Sequence, residues 1–398
     1  MRVSSLIAMA ATASAAVITR QDTSPSAKVL LGGSQNIAVA EYNGKEFKIT
    51  ANVSGADAGA ASWMAFKEPN LIYAVDENSN FTRLFKYDAS ANKIEYVTNG
   101  TGALGVVSLA FNTDKTRLVG TSYSEGKIDI WDITSEKELK LVKQLQSNDT
   151  LGPNTERQDA NRAHQAILDP SGRFFAVSDL GSDTVLIVDS KDDAYEIVTR
   201  NKVPAAGCGP RHGAWYPAKA KQATHFILAC ELTNQLQVFS VSYDGTGVAF
   251  TRTQELSTYG AAFPPANATT AAAGEVIVSG DGKDVYVSNR LTGNDTDSIA
   301  HFKVKQVAGQ GGSPCKPAPG GIELEFFESL SSGGAVPRMF SLSTDEKILF
   351  STNQNAGAGL IAFNREDAGK LTVSSAATIP VSKFGDVGFG PQFVQQIA

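Results

Sequence analysis

The sequence has few cysteines, and after its first residues it has no long hydrophobic run. Only three of its 398 residues are cysteines, namely Cys208, Cys230 and Cys315, and no pair has the Cys-x-x-Cys spacing. This scarcity excludes a disulfide-dense scaffold and a cysteine-ligated zinc or redox site. No later segment has the ~20 consecutive apolar residues that a transmembrane helix needs, so we expect no membrane partner.

Clusters of basic residues are also missing. The chain has 35 Lys and Arg residues against 41 Asp and Glu residues, which gives a formal net charge of −6. Without a basic stripe there is nothing to bind a phosphate backbone, so nucleic acid is excluded as a partner. The chain also lacks the Gly-x-Ser-x-Gly, His-Glu-x-x-His, phosphate-loop and EF-hand motifs, which excludes the chemistries that depend on them.

The first residues, MRVSSLIAMAATASAAVITRQ, have the organisation of a secretory signal peptide. Arg2 gives a short basic start, an Ala-rich apolar stretch follows, and Ala13 to Ala15 supply the small residues of a cleavage site. We therefore predict a signal peptide at residues 1–20 and a mature domain at 21–398, secreted to the extracellular space or the cell wall. The alternative is a buried N-terminal strand or helix.

Six Asn-x-Ser/Thr triplets support export. They begin at Asn52, Asn80, Asn99, Asn148, Asn267 and Asn294. Such a triplet is an acceptor for N-linked glycan in a secreted protein, and together with the leader the six predict a secreted glycoprotein.

The strongest structural signal is an internal repeat. Six similar stretches begin at Ser62, Val107, His164, Arg211, Gly274 and Arg338. In each, an apolar strand leads through a turn rich in Pro, Asp, Ser and Gly to a β-rich strand, and a short polar loop leads to a third strand of alternating apolar residues. No long segment shows a convincing helical period. Repeats of this kind, about 45–65 residues long, predict the blades of an all-β propeller.

Both ends of the chain contain strands that have no complete blade of their own. These are "KVLLGGSQNIAVAEYN" from Lys28 and "GKLTVSSAATIPV" from Gly369. We therefore predict a single domain with seven blades, in which the N- and C-terminal strands together form the blade that closes the ring and removes exposed sheet edges. The alternative is a pair of β-sandwiches, which does not account for the phased repeat.

Polar residues recur at two positions of the repeat that should lie at one mouth of the channel. The first position, at the start of the inner strand, holds His164, Arg211, His212, Glu275 and Arg338. The second, at the end of the next strand, holds Asp76, Glu77, Tyr123, Asp179, Glu231, Asn289, Arg290, Asn353 and Gln354. Cations and carboxylates that converge in a concavity need partners, and a small acidic substrate is one.

Several of these residues also have an ordinary structural explanation. Asp and Asn often cap the turns at strand ends, and for Asp179 or Asn353 alone this explanation is favoured. His225 and His301 fall outside both columns, and we interpret them as structural or surface residues.

The phase of the repeat also bears on the cysteines and on the longer insertions. Cys208 lies just before an inner strand and Cys230 at the end of the adjacent strand, so the two could pair across the blade, which would leave Cys315 free. Insertions rich in Pro, Gly, Ala and Asn precede His164, Gly274 and the sixth stretch, and they could form the walls or lid of a cleft.

Four segments resemble the lactonase family of seven-bladed propellers, which contains bacterial 6-phosphogluconolactonases and fungal carboxy-cis,cis-muconate cyclases. They are "RAHQAILDPSGRFFAVSDLGSD", "GPRHGAWYP", "ACEL" and "VSGDGKDVYVSNR", and the resemblance covers essentially the whole mature chain. With its leader, the chain looks most like a secreted fungal member. The chain departs from the family in "ACEL", which stands where Asn-Glu-Leu is usual, and in "VDE" of the first stretch, which keeps Glu77.

The resemblance implies a set of site residues and no metal or cofactor. The implied catalytic group is His164, Arg211 and Glu231, and the implied substrate-binding residues are Arg290, His212, Glu77 and Asn289. The expected substrate is a small carboxylate or lactone. The arginines would bind carboxylates and stabilise developing negative charge, and His164 or Glu231 would be the general acid or base.

Two functions of different class follow. The first is a carboxymuconate cyclase-like cycloisomerase or a lactone hydrolase, and the sequence leaves the direction of the reaction open. The second is a non-catalytic secreted or cell-wall-associated glycoprotein that uses the propeller as a binding platform, because a fold does not by itself fix a function.

Overall fold

The protein folds as seven antiparallel β-sheets that form the blades of a propeller. The computed structural model describes residues 27–260, 262–308, 312–313, 316–317 and 320–398. The all-β, seven-bladed, single-domain architecture predicted from the repeat is confirmed. The predicted signal peptide at 1–20 and Cys315 lie outside the described residues, and so does Ala261 in the insertion before Gly274.

Blades one to three follow the first, second and third repeats. The strands of blade one are β4 (Met64–Lys67), β5 (Leu71–Val75), β6 (Phe81–Asp88) and β7 (Lys93–Thr101); those of blade two are β8 (Val106–Phe111), β9 (Arg117–Ser122), β10 (Lys127–Asp132) and β11 (Lys140–Gln146); those of blade three are β12 (Ala163–Leu168), β13 (Phe174–Asp179), β14 (Thr184–Asp189) and β15 (Glu196–Lys202). In each blade the first strand is the innermost.

Blades four to six follow the remaining repeats. The strands of blade four are β16 (Pro210–Tyr216), β17 (His225–Cys230), β18 (Gln235–Tyr243) and β19 (Val248–Ser257); those of blade five are β20 (Ala272–Val278), β21 (Asp284–Arg290), β22 (Ser298–Val307) and β25 (Gly321–Ser331); those of blade six are β27 (Phe340–Leu342), β28 (Ile348–Thr352), β29 (Ala356–Arg365) and β30 (Leu371–Pro380), with β26 (Gly334–Ala335) also paired to β29. A short hairpin, β23 (Gly312–Ser313) and β24 (Lys316–Pro317), lies between β22 and β25 in the chain.

Blade seven joins the two ends of the described chain. Its strands are β1 (Ala27–Gly33), β2 (Asn36–Tyr42), β3 (Phe47–Ser54) and β31 (Pro391–Gln396). The innermost strand β31 pairs antiparallel with β1, with Leu31 opposite Val394. The prediction that both termini close the ring is therefore confirmed.

The C-terminal strand that closes the ring is not the one predicted. The segment that starts at Gly369 contains β30, which pairs with β29 and completes blade six. The chain then turns through a 3₁₀ helix, Val381–Lys383, and only the last strand, β31, reaches blade seven. Phe393 and Val394 are buried there against blades one and six respectively, and this burial holds β31 in place.

Helical structure in the described residues is limited to five single turns of 3₁₀ helix. They are Gly55–Asp57, Leu180–Ser182, Lys191–Asp193, Asp367–Gly369 and Val381–Lys383. None of the helices in the part of the chain that the structure describes is long and apolar enough to cross a membrane.

Neighbouring blades pack through hydrophobic clusters that join one sheet to the next. One cluster places Tyr73 and Leu84 of blade one against Leu118 and Trp131 of blade two. Close packing of this kind fixes the distance between inner strands, because a volume change in such an interior is costly. The inner strands β8, β12, β16 and β20 consequently lie side by side, and residues from separate repeats meet at the axis.

Candidate active site

Five inner strands carry a β-bulge at the end from which they start. The bulges of β8 and β31 pass over Val107 and Gln392, and the other three involve predicted polar residues. The register of β12 shifts between Ala163 and Gln165, that of β16 between Pro210 and His212, and that of β20 between Ala273 and Val276. The residues passed over by these shifts are His164, Arg211, Gly274 and Glu275. A bulge leaves its extra residue unpaired in the ladder and redirects its side chain. The bulges therefore explain why polar side chains interrupt otherwise apolar strands.

Glu231 is the centre of the site and contacts three guanidinium groups. Its Oε1 accepts a hydrogen bond from Arg157 Nη2 at 2.6 Å. Its Oε2 lies 3.0 Å from Arg211 Nε and 3.1 Å from Arg290 Nη2. We call these four residues the arginine cluster. The side chain of Glu231 is only 7% exposed and that of Arg211 only 2%, so the cluster lies in a poorly solvated environment.

The position of Glu231 is fixed by the backbone and by a disulfide bond. Its N–H donates to the Gly209 carbonyl at 2.8 Å, and the preceding residue, Cys230, is bonded to Cys208. The predicted pairing of Cys208 with Cys230 is thus confirmed. The bond ties the end of β17 to the segment that leads into β16, which carries Arg211.

Electrostatics keep Glu231 ionised. Burial alone would raise the pKa of its carboxyl, but the charges of Arg290 and Arg211 hold the pKa well below its usual value. Burial lowers the pKa of Arg211 and of Arg290, and the mutual repulsion of the guanidiniums adds to this effect, most strongly that of Arg290 on Arg211. The guanidiniums of the cluster therefore repel one another, and a bound anion would reduce this repulsion.

Arg157 was not predicted as a site residue. It lies in the insertion before blade three, and its side chain remains 43% exposed. Gln158 anchors this insertion by donating to the Leu180 carbonyl and to Asp183, both at 2.8 Å. Arg157 Nη2 also lies 3.3 Å from the hydroxyl of Tyr123. The expectation that this insertion could form a wall of the cleft was the only signal in the sequence that bore on Arg157.

His164 and His212 lie beside the arginine cluster. Both are buried, and their ring centroids are 5.0 Å apart. Burial and then the charge of Arg211 lower the pKa of each imidazole well below its usual value, so both are neutral at pH 7. His164 Nδ1 and His212 Nε2 are buried without a hydrogen-bond partner among the described residues, which leaves them for a ligand or water.

Glu77 forms a separate ion pair with Arg338. Glu77 Oε2 accepts a hydrogen bond from Arg338 Nη2 at 2.8 Å. Burial opposes ionisation of Glu77, but Arg338 outweighs it and lowers the pKa of the carboxyl. Arg338 also acts on the arginine cluster, since its charge contributes to the lowered pKa values of Arg211 and Arg290.

The predicted substrate-binding residue Asn289 makes structural contacts within blade five and to the segment that follows the last strand of blade four. Its amide donates to the Thr258 carbonyl at 3.1 Å and lies 3.2 Å from the Ser298 hydroxyl. No described hydrogen bond or ion pair joins it to the arginine cluster. Its predicted role in binding remains a prediction, and the contacts seen are those of a residue that holds a strand end.

Other residues of the two polar columns cap turns, as the structural explanation anticipated. Asp179 accepts hydrogen bonds from the backbone N–H groups of Arg162 at 2.7 Å and Gly181 at 3.0 Å. The amide of Asn353 donates to the carbonyls of Ser332, which follows the last strand of blade five, and of Ala358 in β29.

His225 and His301 are structural, as expected. His301 lies buried 2.8 Å from Asp284, and His225 contacts Thr224 at 2.9 Å.

A cavity of about 750 Å³, here called the lower cavity, lies at the opposite end of the inner strands. Its walls include Trp63 and Glu275, and it reaches the turns at Asp169, Lys219 and Thr344 that follow the inner strands. Glu275 is thus shared between this cavity and the neighbourhood of His212. The chemistry-bearing side chains themselves lie nearer the other mouth.

The balance of charges at the arginine cluster indicates the kind of ligand that it binds. Among the described residues, four guanidiniums, counting that of Arg338, face two ionised carboxylates, Glu231 and Glu77, and the neutral imidazoles add no charge. An anion is therefore the ligand favoured by this site. Within the described part of the chain, no group of three or more His, Cys, Asp or Glu side chains is arranged to hold a metal ion.

The fold and this cluster define the protein as a seven-bladed β-propeller with a buried cluster of arginines where its inner strands meet. The family described as "Lactonase, 7-bladed beta-propeller" matches residues 17–389. The chain belongs to this family.

The individual relatives have low sequence identity to this chain, but the alignments extend over most of the length of each relative. The "Probable 6-phosphogluconolactonase" of Arthroderma benhamiae is 28% identical over 348 residues, which cover 85% of this chain and 81% of that protein. The "6-phosphogluconolactonase" of Bacillus subtilis is 24% identical over 355 residues, which cover 88% and 93%. The crystal structure of a protein from Lactobacillus plantarum has a TM-score of 0.74 at 21% identity, and the match covers 94% of this chain and 100% of that chain.

Proposed function

We propose that the protein hydrolyses a lactone that carries a second, anionic group such as a phosphate or carboxylate. The observation that carries this proposal is the convergence of Arg157, Arg211 and Arg290 on the single carboxylate of Glu231. Guanidinium groups bind phosphate and carboxylate bidentately. The excess of guanidiniums over carboxylates therefore favours a substrate with at least one full negative charge.

The residues beside the cluster can perform the hydrolysis. A water oxygen attacks the lactone carbonyl carbon, and the proton that it loses goes to the free Nδ1 of His164. The tetrahedral oxyanion is stabilised by Arg211, whose Nη1 is buried without a partner among the described residues. The bond between the carbonyl carbon and the ring oxygen then breaks, and the ring oxygen takes the proton back from His164 Nδ1, which leaves a hydroxy acid and a neutral imidazole.

Of the two residues predicted as candidate general acid or base, His164 and Glu231, we propose that Glu231 positions the guanidiniums. Both carboxylate oxygens of Glu231 already contact guanidiniums, whereas His164 Nδ1 has no hydrogen-bond partner among the described residues. We therefore assign proton transfer to His164 and assign to Glu231 the orientation of the three guanidiniums.

The relatives support a sugar-acid lactone as the substrate. Two of them carry the name 6-phosphogluconolactonase, and 6-phosphogluconolactone has both the lactone and the anionic group that the site favours. Lactone formation of the carboxymuconate cyclase type makes similar demands, because a carboxylate must be held while a proton is delivered. It therefore stands as the second arm of the test.

The assay compares 6-phosphogluconolactone, uncharged gluconolactone and a carboxymuconate with the wild-type protein and the His164→Ala and Arg211→Ala variants. Arg252→Ala is the control, because Arg252 is an outer-strand residue that contacts Glu255 and Gln237. We expect turnover of the phosphorylated lactone, losses of roughly 100-fold or more in kcat for both site variants, and no loss for the control. Absence of turnover on every substrate would favour the non-catalytic binding platform.

Export to the extracellular space or cell wall is proposed as well. Disulfides such as Cys208–Cys230 persist in oxidising compartments. Five of the six asparagines that begin a glycosylation triplet are exposed, as a glycan requires; they are Asn52, Asn80, Asn99, Asn148 and Asn267. Fractionation of culture medium and cell wall before and after enzymatic deglycosylation tests this, and recovery of an unmodified protein only from the cytosol would contradict it.

A further inference from the structure

A second buried contact between an acid and an imidazole lies next to the arginine cluster. His212 Nδ1 is 2.9 Å from Glu275 Oε2, and both side chains are almost wholly buried. The other carboxyl oxygen, Glu275 Oε1, accepts a hydrogen bond from the Val276 N–H at 3.0 Å. The carboxyl group is therefore held in one orientation, with Oε2 directed at the imidazole.

We propose that Glu275 is a positioning residue whose protonated carboxyl donates to His212 Nδ1 and thereby keeps the imidazole hydrogen on Nε2. His212 Nε2 has no partner among the described residues, so in this tautomer it is a free donor beside the arginine cluster. There it donates to the oxyanion formed in the reaction. The effect on turnover rests on the proposed lactone hydrolysis, whereas the tautomer itself does not.

Burial of this pair favours two neutral partners. The titratable and charged groups that face the pair are His164 of β12, Arg211 of β16, Glu231 after β17, Arg290 of β21 and Arg338 before β27. Burial is the largest influence, and it lowers the pKa of His212 and raises that of Glu275. The guanidiniums lower the pKa of His212 further, but they oppose the rise at Glu275 without overcoming it. A neutral imidazole and a neutral carboxyl share one hydrogen bond, and since the carboxyl hydrogen is the stronger acid, Nδ1 is the acceptor.

Glu275 borders the lower cavity on the side away from the arginine cluster. Its side chain is nevertheless almost wholly buried, as is that of His212. Above the raised pKa of Glu275 the carboxyl ionises and accepts from Nδ1–H instead, the hydrogen leaves Nε2, and the donor to the oxyanion is lost.

The tautomer can be measured without any substrate. The chain has four histidines, so long-range ¹H–¹⁵N spectra of the protein labelled at histidine contain four imidazole spin systems. A His212→Asn variant identifies the one that belongs to His212. We expect His212 in the wild-type protein at pH 6.5 to be neutral with its hydrogen on Nε2. A hydrogen on Nδ1, or a charged ring, overturns the proposal whether or not any lactone is turned over.

Two substitutions of Glu275 separate positioning from packing. In Glu275→Gln the Val276 N–H holds the amide oxygen at the place of Oε1, so the amide NH₂ faces His212 and donates as the carboxyl does. We expect this variant to keep the Nε2–H tautomer and the wild-type rate at pH 6.5, and to lose the alkaline fall in kcat. Glu275→Leu removes the donor, and we expect it to lower kcat by roughly 100-fold with little change in KM.

The contrary results are equally distinct. If Glu275 were ionised in the wild-type protein, it would accept a hydrogen bond from Nδ1–H of His212. The NH₂ of Glu275→Gln would then face an N–H group, and this variant would lose as much activity as the leucine variant and would not show the wild-type tautomer. If Glu275→Gln kept the alkaline fall in kcat, that fall would have to come from the titration of another group. Either result overturns the proposal.

Discussion

Arg211 Nε lies 3.0 Å from Glu231 Oε2, and the disulfide between Cys208 and Cys230 links the segments that carry these two residues. Arg211 is three residues after Cys208, and Glu231 directly follows Cys230. The covalent bond and the ion pair therefore span the same two neighbouring strands. The arrangement couples the stability of blade four to the geometry of the arginine cluster.

Removal of the disulfide should weaken both stability and activity. The bond closes a sequence separation of 22 residues, and its loss in a Cys208→Ser, Cys230→Ser variant should cost about 3 kcal/mol. Thermal unfolding with and without a reductant measures this. A Cys315→Ser variant is the control and should unfold like the wild-type protein. Equal unfolding of all three proteins would show that the bond contributes nothing to blade four.

Neutralising Glu231 should leave three guanidiniums without their carboxylate. We expect Glu231→Gln to lower the free energy of unfolding by about 3–5 kcal/mol, because an unpaired buried charge is costly. Glu255→Gln, on an outer strand, is the matched control and should have little effect. Chemical denaturation at pH 7 measures the free energy of unfolding of both variants. Equal values for Glu231→Gln and Glu255→Gln would contradict the prediction.

The stabilisation that Glu231 contributes should depend on pH, and Glu231→Gln measures this dependence. The folded-state pKa of Glu231 is depressed, so its contribution is fully present above its unfolded pKa of about 4.3 and is lost as the pH falls below that value. The difference in stability between wild type and Glu231→Gln should be constant from pH 5 to 8 and should shrink toward pH 3. A difference that shrinks between pH 8 and 5 would contradict a depressed pKa.

The buried histidines should destabilise the protein in mild acid. Burial lowers the folded-state pKa of His164, so below about pH 6.5 the unfolded chain binds a proton that the folded chain does not. The stability of the wild type relative to His164→Gln should then fall by up to about 1.4 kcal/mol per pH unit. Parallel pH profiles of the two proteins would show that His164 is not buried in its neutral form.

Arg157 should contribute to substrate binding more than to the fold. Its side chain is 43% exposed and lies in an insertion that is anchored by Gln158. We expect Arg157→Ala to raise KM for an anionic lactone by roughly 10-fold, as a charge-assisted contact is lost, and to change Tm little. Arg200→Ala, which breaks an ion pair with Asp149 on the surface, should change neither. An unchanged KM for Arg157→Ala would remove it from the site.

The repeat made the fold predictable because each blade has strands of regular period and turns of regular composition. The phase of that repeat also placed His164, Arg211, Glu231 and Arg290 at one mouth, and the structure brings all four into contact or close proximity. The pairing of Cys208 with Cys230 followed from the same phase, since the start of one strand lies beside the end of the next.

Features that depend on tertiary packing could not be predicted in this way. The β-bulges that redirect His164, Arg211 and Glu275 leave no composition signal, because register is set by pairing across strands. Arg157 belongs to an irregular insertion, so no repeat position predicts where it lies. The closing strand was misassigned because β30 has ten residues of clear strand composition, whereas β31 has six residues, of which three are glutamine. Only its pairing with β1 identifies β31 as the closing strand.

The most direct test of the central claim is a crystal structure of the protein with 6-phosphogluconate, the product of hydrolysis of the proposed lactone. We expect one anionic group of the product to contact Arg211, Arg290 and Arg157, with the carboxylate carbon within reach of His164. Binding of the product in the lower cavity would contradict the assignment of the arginine cluster as the active site. Absence of bound product, at a concentration that inhibits turnover of the lactone, would contradict it as well.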